Sequence, residues 1–229
     1  MPKHIGIVAV SPEGAALCYR QISRQASRLA RNGVHPRVTL HSEPFEDYLE
    51  ALRKLDWIRV GELLLRSAEI LARAGAEVCF SPDNVVQHAV HLAEVGSPIP
   101  WLMMTDLVAR RVEADGRRTV GIIGTKMVTS GSTYQTHLGL RGIRVLAPES
   151  AEADALDSII YNELIFGKIL PASQRQVLGI IQQLAGRGCE GVILGCSEAP
   201  LLVTPENSPI PVYDAADILA EGAVRHSVE

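Results

Sequence analysis

The sequence predicts an α/β protein in which two parallel sheets are each covered by helices. Three observations predict this fold class. Short apolar runs alternate with stretches of helical periodicity, the alternation passes through the chain twice, and each round spans roughly a hundred residues. The run at 191–194 is continuous and rich in β-branched residues, which is typical of a strand buried on both faces of a parallel sheet.

The first round opens with the apolar run at 4–10. Apolar residues recur at helical spacing between 57 and 74, and Gly75 follows as a stop signal. We expect, in order, a strand at 4–10, a helix at 12–33, a strand at 37–41, a helix at 57–74, a strand at 77–81, a helix at 85–95 and a strand at 99–103.

The second round opens with an apolar run that ends in Gly124-Thr125. We expect a strand at 118–123, a helix at 132–141, a strand around Val145, helices at 153–166 and 172–187, a strand at 191–194, an edge strand at 209–212 and a helix at 215–225. The two rounds predict a first α/β domain of residues 1–105 plus 208–229 and a second of residues 106–207.

Composition narrows the class of protein. The 229 residues are 47% hydrophobic and 21% charged, with a net charge of −4, so the chain has no basic field for nucleic acid or an anionic membrane. No apolar run approaches the ~20 residues needed to cross a bilayer, and no signal-peptide pattern opens the chain. The four cysteines lack CxxC spacing, which favours reduced thiols and a cytoplasmic location.

The stretch Gly195-Cys196-Ser197-Glu198 carries the strongest functional signal. It follows the buried strand at 191–194 and so delivers a thiol, a hydroxyl and a carboxylate to the edge where open α/β sheets hold their ligands. Ser81-Pro82-Asp83-Asn84 follows the corresponding strand of the first round. This correspondence predicts a cleft between the two sheets with one reactive group on each side.

Four stretches of the chain resemble the aspartate/glutamate racemase family. They are Val192 to Leu202, Val120 to Thr125, Pro211 to Asp214, and Pro12 to Ala15 with Tyr19-Arg20. The resemblance implies two flavodoxin-like parallel-sheet domains related by pseudo-twofold symmetry, with the active site in the interdomain cleft, and a homodimer. It also implies proton abstraction at the carbon beside a carboxylate, with no pyridoxal phosphate or other cofactor.

The first half departs from the family pattern. Two-thiol members carry Cys-Asn-Thr-x-His, whereas this chain has Asp83-Asn84-Val85-Val86-Gln87, so Asp83 stands in the place of the first cysteine. Val128 replaces a common threonine, and Leu219 a common histidine.

Three reactions therefore remain open. Asp83 and Cys196 could be an unequal acid–base pair in a racemase or epimerase, which is the interpretation we favour. Cys196 could instead act alone in a decarboxylase, or a single base could start a β-elimination. From another class, the chain could be a catalytically silent homologue that binds a small carboxylate without converting it.

The expected catalytic residues are Cys196 and Asp83, and the expected substrate-binding residues are Asn84, Thr125, Ser197, Glu198, Ser11 and Lys168. Arg20 is a further candidate cation for a distal carboxylate, and Glu13 for an ammonium group. Asp83 and Thr125 could also simply cap helices. Glu198 could orient a neighbouring donor or raise the thiol pKa, while the N-terminus of a following helix could lower it. We expect no metal, because His88 and His91 lack further ligands.

Overall fold

The computed structural model describes residues 2–29 and 34–228. The chain folds into two compact units, Met1–Met104 with Ala216–Glu229, and Thr105–Ala215. Both are α/β units built on parallel strands, as the sequence predicts. Within the described ranges, no helix is long and apolar enough to cross a membrane.

The first unit holds a three-stranded parallel sheet. Its strands are β1 (Ile5–Ala9), β2 (Val38–Ser42) and β3 (Val78–Phe80), in the order β2-β1-β3. All five residues of the central strand β1 are buried, which accounts for its continuous apolar sequence. The helices are α1 (Pro12–Leu29), α2 (Phe45–Arg53), α3 (Trp57–Arg73) and α4 (Gln87–Glu94).

The structure differs from the sequence prediction in parts of this unit. Helix α1 is described to Leu29, and its expected end at 33 lies outside the described residues. Helix α2 was not predicted. The expected strand at 99–103 is reduced to a single bridge between Cys79 and Trp101, because Pro98 and Pro100 have no N–H to extend a ladder.

The second unit holds a four-stranded parallel sheet in the order β5-β4-β6-β7. Its strands are β4 (Thr119–Gly124), β5 (Arg144–Leu146), β6 (Val192–Gly195) and β7 (Val212–Asp214). The helices are α5 (Met104–Ala114), α6 (Lys126–Thr129), α7 (Thr133–Gly139), α8 (Ser150–Asn162) and α9 (Pro171–Gly186), of which α5 and α6 were not predicted. The sequence places residues 208–215 with the first domain, whereas β7 pairs with β6 in the second sheet.

The last helix, α10 (Ala215–Val228), returns the chain to the first unit. There it packs beside α1, where Gln25 Nε2 donates to both carboxylate oxygens of Asp217 at 2.9 and 3.0 Å.

Because all strands of a parallel sheet point the same way, the loops that carry the candidate residues leave each sheet at its carboxyl edge.

Candidate active site

Two strands of the second sheet end side by side at a pair of glycines. Gly124 closes β4, Gly195 closes β6, and the two are partners in the register. A Cβ added to Gly124 would lie 2.7 Å from the Gly195 carbonyl oxygen, well inside van der Waals contact. Because neither glycine has a side chain, the two backbones can approach closely. The residues that follow the two strands, Thr125 and Cys196, leave the sheet at the same edge.

Replacing Gly124 by alanine should destabilise the protein by about 1–3 kcal/mol, because the new Cβ forces the two strand ends apart. Urea denaturation measures the change. Gly179→Ala in α9 is the control, since an added Cβ there meets nothing within 4 Å. That variant should gain roughly 0.5–1 kcal/mol from helix propensity, and equal effects of the two substitutions would contradict the close approach.

The Cys196 thiol is buried against a carboxylate. Its Sγ donates a hydrogen bond to Glu198 Oε2 at 3.1 Å, and the two residues are only 7% and 5% exposed. The expected helix after Glu198 is a single 3₁₀ turn, Ala199–Leu201, which is too short to supply a helix dipole. The thiol therefore interacts with Glu198 and the turn amides instead of with a helix N-terminus.

Burial raises the pKa of the Cys196 thiol well above its ordinary value, and the charge and hydrogen bond of Glu198 raise it further. The backbone N–H groups of Glu198 and Ala199 act in the opposite direction without overcoming these effects. Of the two actions left open for Glu198, its contact with the thiol favours the one that raises the thiol pKa. Cys196 is consequently protonated near neutral pH, ready to give a proton rather than to take one.

Replacing Glu198 by glutamine should lower the pKa of Cys196, because it removes the negative charge that disfavours the thiolate. Only the thiolate reacts with iodoacetamide, so alkylation of Cys196 at pH 8 should become several-fold faster and its pH midpoint should fall. Peptide mass mapping separates Cys196 from the other buried thiols, Cys18, Cys79 and Cys189. Identical pH–rate profiles for the two proteins would show that the carboxylate does not act on the thiol.

Thr125 places a buried hydroxyl at the same edge of the sheet. Its Oγ1 makes no hydrogen bond to any residue in the described ranges. Thr125 precedes α6, but its side chain does not cap that helix, so the capping alternative is wrong. Because buried hydroxyls ordinarily have a hydrogen-bond partner, this one fits contact with a ligand.

A small apolar cavity adjoins Cys196 inside the second unit. Aliphatic side chains of the sheet, of α8 and α9, of the 3₁₀ turn Leu164–Phe166 and of the residue after the turn Ala199–Leu201 line it: Ile123, Leu156, Ile159, Ile160, Leu164, Val177 and Leu202. Such walls exclude water and keep the local dielectric low, which is the burial effect that keeps the thiol protonated.

Asp83 lies at the carboxyl edge of the first sheet, three residues after β3 ends at Phe80. Its Oδ1 accepts a hydrogen bond from the Val85 N–H at 2.9 Å, which closes an Asx turn. Helix α4 begins only at Gln87, and its N-cap residue, Val86, makes no side-chain cap. Asp83 thus shapes the loop before the helix and is not the helix N-cap, and its side chain is half-buried.

The sequence profile of the family described as Asp/Glu/Hydantoin racemase matches residues 7–223. The chain belongs to this family. A candidate Asp/Glu racemase from Yersinia pestis is 28% identical, with a TM-score of 0.90 over 99% of this chain and 100% of that one. PH1733, an aspartate racemase homologue from Pyrococcus horikoshii, is 26% identical, with a TM-score of 0.87 over 100% of both chains. A glutamate racemase, isoform RacE1 of Bacillus anthracis, shares the fold at 18% identity and a TM-score of 0.71, over 95% of this chain and 79% of its own.

The remaining predicted residues of this racemase-family chain lie in different settings. Asn84 and Ser197 are buried in the loops that follow β3 and β6. Ser11 Oγ accepts from the Gly14 N–H at 3.2 Å, so Ser11 caps α1. Lys168 is exposed, with its ammonium nitrogen 5.7 Å from the centroid of the Phe166 ring. The further candidates Glu13 and Arg20 are also exposed.

Sequence reasoning passed over Tyr48, which lies wholly buried in α2. Burial raises the pKa of its phenol, and the charges of Glu43 and Asp83 raise it further. Tyr48 is therefore within electrostatic reach of Asp83. Its spacing of three residues from Phe45 was the available signal for a helix at this place.

The two histidines of α4 take part in ring contacts. The His88 ring lies 4.6 Å from that of Trp57 and 6.3 Å from that of His91, centroid to centroid. Across residues 2–29 and 34–228, no group of three or more His, Cys, Asp or Glu side chains is arranged to hold a metal ion.

Proposed function

We propose that this chain is a cofactor-independent racemase or epimerase that moves a proton at Cα of a small acidic amino acid such as aspartate or glutamate. The observation that carries the proposal is the buried Cys196 thiol, 3.1 Å from the Glu198 carboxylate at the carboxyl edge of β6. Membership of the Asp/Glu/Hydantoin racemase family and the likeness to an aspartate racemase homologue support it.

In the proposed reaction the substrate carboxylate accepts hydrogen bonds from Thr125 and from backbone N–H groups at the strand ends, with Ser197 and Asn84 as further donors. Ser11 and Lys168 complete the proposed binding set. The Asp83 carboxylate takes the Cα proton from one face, which leaves a carbanion beside the carboxylate and a neutral Asp83 carboxyl.

Cys196 completes the inversion on the opposite face. Its thiol gives a proton to Cα, and the resulting thiolate receives hydrogen bonds from the Glu198 and Ala199 amides. Its raised pKa makes this thiolate a strong base that recovers a proton quickly, while Asp83 returns its own proton to solvent. The two groups are therefore an unequal pair, and turnover should be faster for one enantiomer than for the other.

A decarboxylase that uses a single thiol is the second candidate, and one observation favours it. The Cys196 thiol is held protonated by burial and by Glu198. That is the form needed to protonate a carbanion after a carboxylate has left as carbon dioxide. The homodimer and the cytoplasmic location expected from the sequence stay predictions for either reaction.

Deuterium exchange separates these candidates. Each enantiomer of aspartate and of glutamate is incubated with the protein in D₂O, and Cα–H loss and inversion are followed by NMR and chiral chromatography. Inversion with one deuterium incorporated at Cα supports the racemase. Carbon dioxide release from a 2-substituted malonate, without exchange of any amino acid, would replace it with the decarboxylase. Binding with no exchange and no product would leave a silent ligand-binding homologue.

A further inference from the structure

A single glutamine clamps the loop that carries Asp83. The Gln87 side chain is 2% exposed, and its Nε2 donates to the carbonyl oxygens of Ser81 and Asp83, both at 3.0 Å. These carbonyls lie on either side of Pro82, so one amide group fixes two peptide units of the loop. The Gln87 N–H also approaches the Asn84 carbonyl at 3.4 Å.

The carbonyl oxygen of the Gln87 side chain lacks a hydrogen bond within the described part of the chain. This oxygen, Oε1, is buried and has no hydrogen-bond partner among the described residues. A buried acceptor without a partner destabilises the folded protein, and an apolar side chain of the same shape would avoid that penalty. The donor side of the amide must therefore contribute something that an apolar residue would not.

That contribution is the orientation of Asp83. Gln87 holds the Asp83 carbonyl, the Ser81 hydroxyl accepts from the Asp83 N–H at 3.4 Å, and the Asp83 carboxylate accepts from the Val85 N–H at 2.9 Å. The backbone on both sides of Asp83 is thereby held, and its carboxylate leaves the loop in one direction.

We propose that Gln87 is a positioning residue that holds the Asp83 carboxylate in the orientation required for proton transfer. This inference rests on the proposed role of Asp83. The two-thiol pattern carries a histidine at this place, which could bring a positive charge next to the loop. A glutamine supplies the two hydrogen bonds and remains neutral, so it suits a carboxylate that must change its protonation state.

The test replaces Gln87 by methionine, which keeps length and volume but removes both donors. Cα–H exchange is measured separately for the two enantiomers, because Asp83 and Cys196 each serve one face. Exchange of the enantiomer served by Asp83 should fall roughly 10- to 100-fold in kcat, as expected for a misplaced reacting group, with KM little changed. Exchange of the enantiomer served by Cys196 is expected to be slower in the unaltered protein, because only the small thiolate fraction can take a proton, and Gln87→Met should leave that rate unaffected.

Three comparisons keep the test decisive. Gln25→Met is the matched control, since Gln25 is also buried and also donates twice from Nε2, but to Asp217. It should leave both exchange rates unchanged. Gln87→His at pH 8 keeps a ring N–H and should recover part of the lost rate. In an Asp83→Asn background, Gln87→Met should have no further effect.

Equal slowing of both enantiomers, or additive effects of the Gln87 and Asp83 substitutions, would overturn the positioning role and leave Gln87 as a purely structural residue. That result is distinct from failure of the proposed function, in which the unaltered protein exchanges no amino acid at all. The latter result would overturn both proposals together. Urea denaturation of each variant identifies any that fails to fold, and Gln87→His then decides the question.

Discussion

Replacing Cys196 by alanine should reduce Cα inversion by roughly 10²–10⁴-fold, the contribution of a well-placed general acid or base. The expected loss is confined to one face of the substrate. Asp83 can still remove and return a proton on its own side, so slow exchange without inversion should survive for one enantiomer. Chiral chromatography measures the inversion, and NMR in D₂O measures the residual exchange.

Cys189→Ala is the matched control for this substitution. Cys189 is likewise buried, belongs to the same apolar cluster as Cys196, and has a thiol pKa raised mainly by burial. It does not stand at the carboxyl end of a strand, so its replacement should leave inversion unchanged. Inversion by Cys196→Ala at nearly the original rate would remove the thiol from the reaction, whatever the family membership suggests.

The contact between Cys196 and Glu198 explains why the two groups of the proposed site should differ in their readiness to give or take a proton. The raised pKa of Cys196 means that the thiol carries its proton before substrate arrives. The Glu198 carboxylate, 3.1 Å away, disfavours the thiolate. A carboxyl group in water ordinarily has a pKa several units below that of a thiol. In the proposed pair, Cys196 would donate a proton and Asp83 would accept one, whereas two identical thiols could exchange these roles.

The fold was predictable wherever buried strands determine it. The strands β1, β4 and β6 lie at the centres of their sheets, so continuous apolar runs mark them in the sequence. Helices α2 and α5 were not predicted, and the expected strand at 99–103 became a single bridge. The two helices have only short periodic patterns in the sequence, so they were missed. At 99–103 the two prolines prevent the strand that the alternation of strand and helix predicts.

The sequence predicted where two of the candidate residues lie but not which contacts they make. A motif at a strand end identifies Cys196 and Thr125, because register and glycine spacing place both at one edge. The hydrogen bond from Cys196 to Glu198 depends on how the turn after β6 folds, and the clamp of Gln87 depends on the loop around Pro82. Neither turn has a periodic pattern that would reveal such contacts in the sequence.

Replacing Asp83 by asparagine should lower inversion by roughly 10²–10⁴-fold while leaving the fold intact. The fold should stay intact because Asn Oδ1 can accept the same hydrogen bond from the Val85 N–H, so that the Asx turn survives. Inversion should fall because the amide of asparagine cannot take the Cα proton. Slow exchange on the face served by Cys196 should persist through the small thiolate fraction, which is the counterpart of the residual exchange expected for Cys196→Ala. Asp83→Ala should show the same kinetic loss together with a lower free energy of unfolding, because it also removes the turn bond.

The comparison with another aspartate distinguishes chemistry from capping. Asp56 Oδ1 accepts from the Arg59 N–H at 3.0 Å and caps α3, so Asp56→Asn alters a structural carboxylate in the same unit. That variant should keep full inversion. If Asp83→Asn also inverts both enantiomers at the original rate, the carboxylate at 83 serves only the loop and Cys196 needs a different partner. If only Asp83→Asn loses inversion, the place of the first cysteine has kept its role in proton transfer with a different acid.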